Sequence, residues 1–406
     1  MKKLSVDDRK VFGLIIAYMI VCGIRYFEHI LSVANSCLYI LSYRHGFTSR
    51  GLVGHIWLWL NDHTPFNLVT YSSEYILCQL LTGILFVFFL AFIYVSLRLM
   101  PEDNKRNARY LLVLFSIFSF PMFLTMENFG RIDIFLIMIT IACLILIMYE
   151  KAEWLIIPLC ILAMLIHQGF VFTNVNIILV LLFYKAIMAD EKKRKVKYYI
   201  LFGLTLVTVS VFFLYFEIFK TTLGMDVYNE LVALNKQVSP DGNYYKELLQ
   251  HEILGNDVYE METKYHIENI EELPLAIVAF MPYILIGISF LKNLFKKAVG
   301  IKEKLAYLAV IVGVATLIPE WLLKVDFGRY VYSMAFYYIA IVICLMILEK
   351  TDGIVARQLQ ETKEMIKSKT IMPYLLLVYP AVLMPLRDIA ISQTTINILR
   401  MLRLQE

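Results

Sequence analysis

Apolar residues predominate in long blocks, at about 11–30, 75–97, 110–126, 132–149, 197–216, 273–291, 305–323, 329–348 and 371–386. Each is close to the roughly 20 residues a helix needs to cross a bilayer. A stretch such as Ile132–Met148 is apolar on every face, unlike a barrel strand, which alternates in segments of about ten residues. The block 154–184 is too long for one crossing and is interrupted at Ile166-His167-Gln168-Gly169, so it predicts two short helices meeting at that turn, with the chain crossing twice. The expected fold is an all-α, polytopic integral membrane protein of about 10–12 transmembrane helices. It forms one domain over 1–406, with extracytoplasmic loops at about 31–74 and 218–272.

Charge orients this pattern. Of the 38 basic residues, 25 fall in the N-terminus and in the connections 98–109, 150–153, 185–197, 292–304 and 350–369, which marks that set as cytoplasmic and the N-terminus with it. No small-residue cleavage site follows the first apolar run, so that run is expected to stay as an anchor. Pro373, Pro380 and Pro385 interrupt the last run, and Arg400 and Arg403 follow it, which leaves the side of the C-terminus open. Composition agrees with the class: 60% of the residues are hydrophobic and 18% charged, with mean hydropathy +0.68. The net charge of +4 is accounted for by topology and attraction to membrane lipids, and implies no nucleic-acid partner. Cys22, Cys78, Cys143, Cys160 and Cys344 lie in predicted spans and Cys37 alone in an outer loop. Neither a disulfide framework nor a metal spacing appears, and no metal or cofactor is expected.

The loop 218–272 carries eleven acidic residues from Asp226 to Glu272, with tyrosines between them. Short amphipathic helices over a cavity fit it, with Ser239-Pro240-Asp241-Gly242 as a turn. The chain shows no glycine loop for a nucleotide, no internal repeat, no zinc-protease signature and no nucleophile elbow.

The chemistry-bearing residues gather on the predicted outer side. In the first loop, Arg44-His45-Gly46-Phe47-Thr48-Ser49-Arg50-Gly51 sets two arginines among glycines. Arginine can fork onto phosphate oxygens and glycine permits close backbone approach; alternatively the arginines snorkel to headgroups. In Glu127-Asn128-Phe129-Gly130-Arg131-Ile132-Asp133 a carboxylate can act as general base and Arg131 can contact phosphate, or Arg131 pairs with Glu127 or Asp133 at a helix start. His167, at the apex of the broken block, can relay a proton or simply bond a freed carbonyl. Asn174 and Asn176 can extend a polar lining or pair between helices. Glu320 and the turn Asp326-Phe327-Gly328-Arg329 complete the set, where Asp326 and Arg329 are also placed to pair on a helix. Ionisable groups beside hydrocarbon are costly unless they are paired or line a wet cavity, so their gathering predicts a shared polar chamber.

Together the Arg44-to-Arg50 segment, the Gly130-Arg131-Ile132-Asp133 turn, the His167-Gln168-Gly169-Phe170 hairpin and the Asp326-Phe327-Gly328-Arg329 turn resemble those of bacterial O-antigen and capsule polysaccharide polymerases of the Wzy type and EpsG-like proteins. The resemblance is in layout over most of the chain, with the larger outer loop earlier than many polymerases place it. It implies about ten to fourteen helices in the bacterial cytoplasmic membrane and, as substrate, a polyprenyl-diphosphate-linked glycan, with other polysaccharide assembly proteins as partners. The implied reaction is glycosyl transfer. Arg44, Arg50, Arg131 and Arg329 would hold the diphosphate, and Glu127, His167, Glu320 or Asp326 would take the acceptor proton.

Three other readings compete. A GT-C glycosyltransferase would need an acid in the first outer loop, where Glu28, Asp62 or Glu74 would serve. A flippase would favour midplane charges and repeated halves. A membrane acyltransferase would use His167 as base but lacks a partner motif.

Overall fold

The structure is a computed structural model and describes residues 4–26, 30–124, 129–219, 223–239, 242–246, 249–250, 253, 272–316, 327–349 and 353–367. Among the described residues every regular element is helical. They are α1 (Val6–Tyr26), α2 (Val33–Cys37), α3 (Gly51–His63), α4 (Tyr71–Leu99), α5 (Lys105–Ser119), α6 (Asp133–Tyr149), α7 (Ile156–Ile166) and α8 (Phe170–Thr173). There follow α9 (Val175–Met188), α10 (Lys192–Ile218), α11 (Met225–Val238), α12 (Glu272–Lys297), α13 (Ile301–Ala315), α14 (Phe327–Leu348) and α15 (Ile354–Lys367).

Local chemistry sets the helix ends. Thr70 Oγ1 accepts from the Ser73 amide at 3.3 Å to start α4, and Pro101 bars its continuation past Met100. Pro121 confines the end of the 110–126 apolar run to a tight 3-10 turn, Phe120–Phe123. Glu150 closes α6 in the left-handed conformation, at φ 57°.

The long helices alternate in direction, and two groups of ties hold opposite ends of the bundle. At one end Asp8 receives Arg109 Nε at 2.9 Å and Lys105 Nζ at 3.1 Å. Asn107 bonds Gln360, and Lys297 pairs with Glu361. Glu349 accepts from the hydroxyls of Tyr184 at 3.0 Å and Tyr307 at 2.5 Å. There too Glu153, its side chain 1% exposed, binds Lys185 at 3.3 Å and also Lys197. Burial pushes the Glu153 carboxyl up, but hydrogen bonds from Lys197 and Tyr198 and the Lys185 charge prevail and hold it below the usual range. Alternate connections of the chain therefore share this end.

At the other end the Leu31 amide donates to Tyr71 Oη at 3.0 Å, Asn35 Nδ2 donates to the Phe129 carbonyl at 2.7 Å, and Tyr39 donates to the Gly130 carbonyl at 2.8 Å. Between the ends the core is aromatic: Phe115 packs against Phe92 and Phe336, each at 4.9 Å between ring centres, joining α4, α5 and α14. None of the six cysteines forms a disulfide and all are buried, including Cys37, expected in an outer loop.

Two helices, Tyr71–Leu99 and Lys192–Ile218, are long and apolar enough to cross a membrane, counted among the described residues. Other apolar runs form shorter helices: 17 residues for α6, 14 for α9 and 11 for α7. The broken block 154–184 is two short arms, α7 and α9, joined through His167 and the single turn α8. The segment 31–74 is less of a loop than its polarity predicts, since it contains α2 and α3, and α11 lies within 218–272. The expected span 371–386 lies outside the described residues.

Candidate functional site

The first polar segment folds over the apex of the α7–α9 hairpin. Tyr43 donates its hydroxyl to the Leu165 carbonyl at 2.8 Å, and the Gln168 amide donates to Ser49 Oγ at 3.4 Å. Burial pushes the Tyr43 phenol above its ordinary value, which keeps it a proton donor. Phe47 stacks on Phe216 of α10, 5.3 Å between centres. The glycines serve packing here. A Cβ on Gly54 would run into the Leu41 carbonyl, and one on Gly51 into the Tyr43 ring.

Arg50 precedes α3 in the left-handed conformation, φ 68° and ψ 3°, which costs a non-glycine residue about 1–2 kcal/mol. Held so, its Nη2 reaches within 3.5 Å of His167 Nε2. His167 ends α7, its amide bonded to the Ala163 carbonyl at 2.9 Å and its carbonyl accepting from the Phe170 amide at 3.1 Å. The ring is oriented by Gly169, whose amide donates to Nδ1 at 3.2 Å. With Nδ1 accepting, the neutral imidazole carries its proton on Nε2. Nε2 then cannot accept from Arg50. The imidazole and the guanidinium then bring two N–H groups within 3.5 Å of each other.

Beside this pair, Gln168 Nε2 donates to Glu217 Oε1 at 2.9 Å, which ties the last turn of α10 to the hairpin apex. Sequence reading missed Glu217; its signal was an acid directly after the 197–216 apolar run, on the side where the other polar residues gather.

Two of the remaining candidates form ion pairs of their own. Arg44 lies exposed on the turn Tyr43–His45 and pairs with Asp62 of α3. Arg131 Nε binds Asp133 Oδ2 at 3.0 Å at the start of α6. Both pairs are partly exposed, so each contributes at most about 1 kcal/mol. Arg329 lies in the first turn of α14, and Glu127, Glu320 and Asp326 fall outside the described residues. Asn174 pairs between helices, donating to Tyr337 Oη at 2.6 Å, while Asn176 bonds the carbonyls of Val171 and Phe172 in its own segment.

Of the acids a GT-C reading would use, Asp62 is engaged by Arg44, and Glu28 lies outside the described residues. Glu74 is 0% exposed, with neither carboxylate oxygen hydrogen-bonded among the described residues. No group of three or more metal-ligating side chains occurs among the described residues. The chain matches no family model, no curated protein and no solved structure.

Proposed function

We propose that the chain is a multi-pass membrane glycosyltransferase of the polysaccharide-polymerase kind, with its N-terminus cytoplasmic, in the bacterial cytoplasmic membrane. It joins undecaprenyl-diphosphate-linked oligosaccharides at the extracytoplasmic face. The observation that carries this reading is the pair Arg50 and His167, 117 positions apart, whose donors converge within 3.5 Å. Negative charge grows on the departing diphosphate during glycosyl transfer, and donors already oriented toward it stabilise that charge without reorganisation. The alternation of helix direction and the gathering of basic connections at the opposite end support the orientation.

The test uses the full chain in lipid nanodiscs with undecaprenyl diphosphate as probe. Charged hydrogen bonds of about 1.5–3 kcal/mol predict that Arg50→Ala and His167→Ala each weaken binding about tenfold or more. Arg50→Lys should fail to restore it, because a point charge lacks the planar fork. Arg44→Ala, which loses an exposed pair with Asp62, should stay within about twofold. Wild-type affinity in Arg50→Ala and His167→Ala would overturn the reading.

A further inference from the structure

Glycosyl transfer needs a base as well as a seat for the leaving group, and the acids of α3, α4, α6 and α10 at this end of the bundle differ sharply in fitness for that task. Asp62 and Asp133 are held by Arg44 and Arg131, and Glu74 is buried without access. Glu217 differs from all three. It is exposed at the last turn of α10, and Gln168 grips Oε1 at 2.9 Å. Oε2 has no hydrogen-bond partner among the described residues. Gln168 is also the residue next to His167, so one turn of backbone, anchored to Ser49, carries both the imidazole that meets Arg50 and the amide that grips the carboxylate. A side-chain amide bonded to a carboxylate must present its N–H, so Gln168 orients Glu217 and leaves the second oxygen able to accept.

We propose that Glu217 is the catalytic base of this site, taking the proton of the acceptor sugar's hydroxyl. This rests on the function proposed above. The acceptor oxygen forms its bond to the donor's anomeric carbon while its proton passes to Glu217 Oε2. The bond from that carbon to the diphosphate oxygen breaks, and its electron pair leaves with the diphosphate onto the donors of Arg50 and His167. Protonated Glu217 then returns the proton to water. Gln168 is a positioning residue, acting through Glu217.

Two measurements on the same variants test this: undecaprenyl diphosphate binding to the full chain in nanodiscs, and polymer chain length in cells that supply lipid-linked oligosaccharide. Glu217→Gln keeps the size and bond geometry of the side chain but cannot take a proton. It should bind the probe within about twofold of wild type and cut polymer at least about 100-fold, the usual scale for loss of a general base. Glu217→Asp should restore part of the polymer, and Gln168→Ala should reduce it about tenfold or more with binding intact. Wild-type polymer in Glu217→Gln would overturn the assignment of the base while leaving the anion site standing. Undiminished probe binding in Arg50→Ala and His167→Ala would instead remove the site on which both proposals rest.

Discussion

Gly169 lies so close to His167 that a Cβ placed on it would stand 3.1 Å from both Cε1 and Nε2 of the imidazole. The backbone there is ordinary, at φ −56°, so space and not conformation calls for glycine. Gly169→Ala should push the ring a few tenths of an ångström away from Arg50 while leaving the fold intact. Binding of undecaprenyl diphosphate should weaken about threefold to tenfold, because donors aimed at one oxygen lose strength quickly with misalignment. A titration of probe binding beside a thermal melt checks this, and equal affinity in the two proteins would show that the imidazole does not face the ligand.

Buried and exposed ion pairs should behave very differently here. Lys185, its side chain 5% exposed, donates to Glu153 and to the Ile147 carbonyl at 3.0 Å, and ties the two ends of the α7–α9 hairpin to α6. Glu153→Leu removes the buried one of two carboxylates on that ammonium, leaving Glu150 at 3.1 Å, and should cost about 1–3 kcal/mol. Adding Lys185→Met should recover part of the loss, since the ammonium left with the more exposed carboxylate alone is then gone. Arg44→Ala should cost less than about 1 kcal/mol. Unfolding midpoints in detergent measure all three, and additive losses for the double variant would contradict the coupling.

Strong acid should loosen the N-terminal helix. Asp8 precedes the first apolar run and closes a capping box with Ser5, each backbone amide bonded to the other's side chain at 3.1 Å. Burial pushes its carboxyl up, but hydrogen bonds from Ser5, Arg109 and Lys105 prevail and bring it to about 2. The folded value lies below the unfolded one, so the stabilisation is complete above about pH 4 and disappears as pH falls through about 2. Its size is on the order of 2 kcal/mol. Asp8→Asn should abolish that part of the acid response, which a pH series of unfolding midpoints would record; an unchanged acid limb would remove Asp8 as its source.

Glu74 offers a stability gain. A fully buried carboxyl with no hydrogen-bond partner among the described residues carries a desolvation cost that a thioether of similar size does not. Glu74→Met should raise stability by about 1–3 kcal/mol if the acid has no task in the fold. A lower unfolding midpoint would show that the carboxyl supports the packing of α4 against the Tyr39 and Gly130 segments.

Hydrophobic runs and prolines were enough to make the described chain helical and to break the 154–184 block at His167. These features are written locally: a helix follows from its own residues, and a break from its own turn. The composition of the first polar segment did not reveal α3, because its apolar and polar residues mix over only 13 positions. The pairing of charges was also beyond the pattern. Arg44 and Arg50 stand in similar surroundings in the chain, yet α3 brings Asp62 to the first, while a left-handed backbone and the hairpin apex bring His167 to the second. Glu217 and Gln168 meet across 49 positions for the same kind of reason. Such meetings depend on how closely distant elements pack, through contacts like Gly54 against Leu41, and that closeness has no period or spacing along the chain.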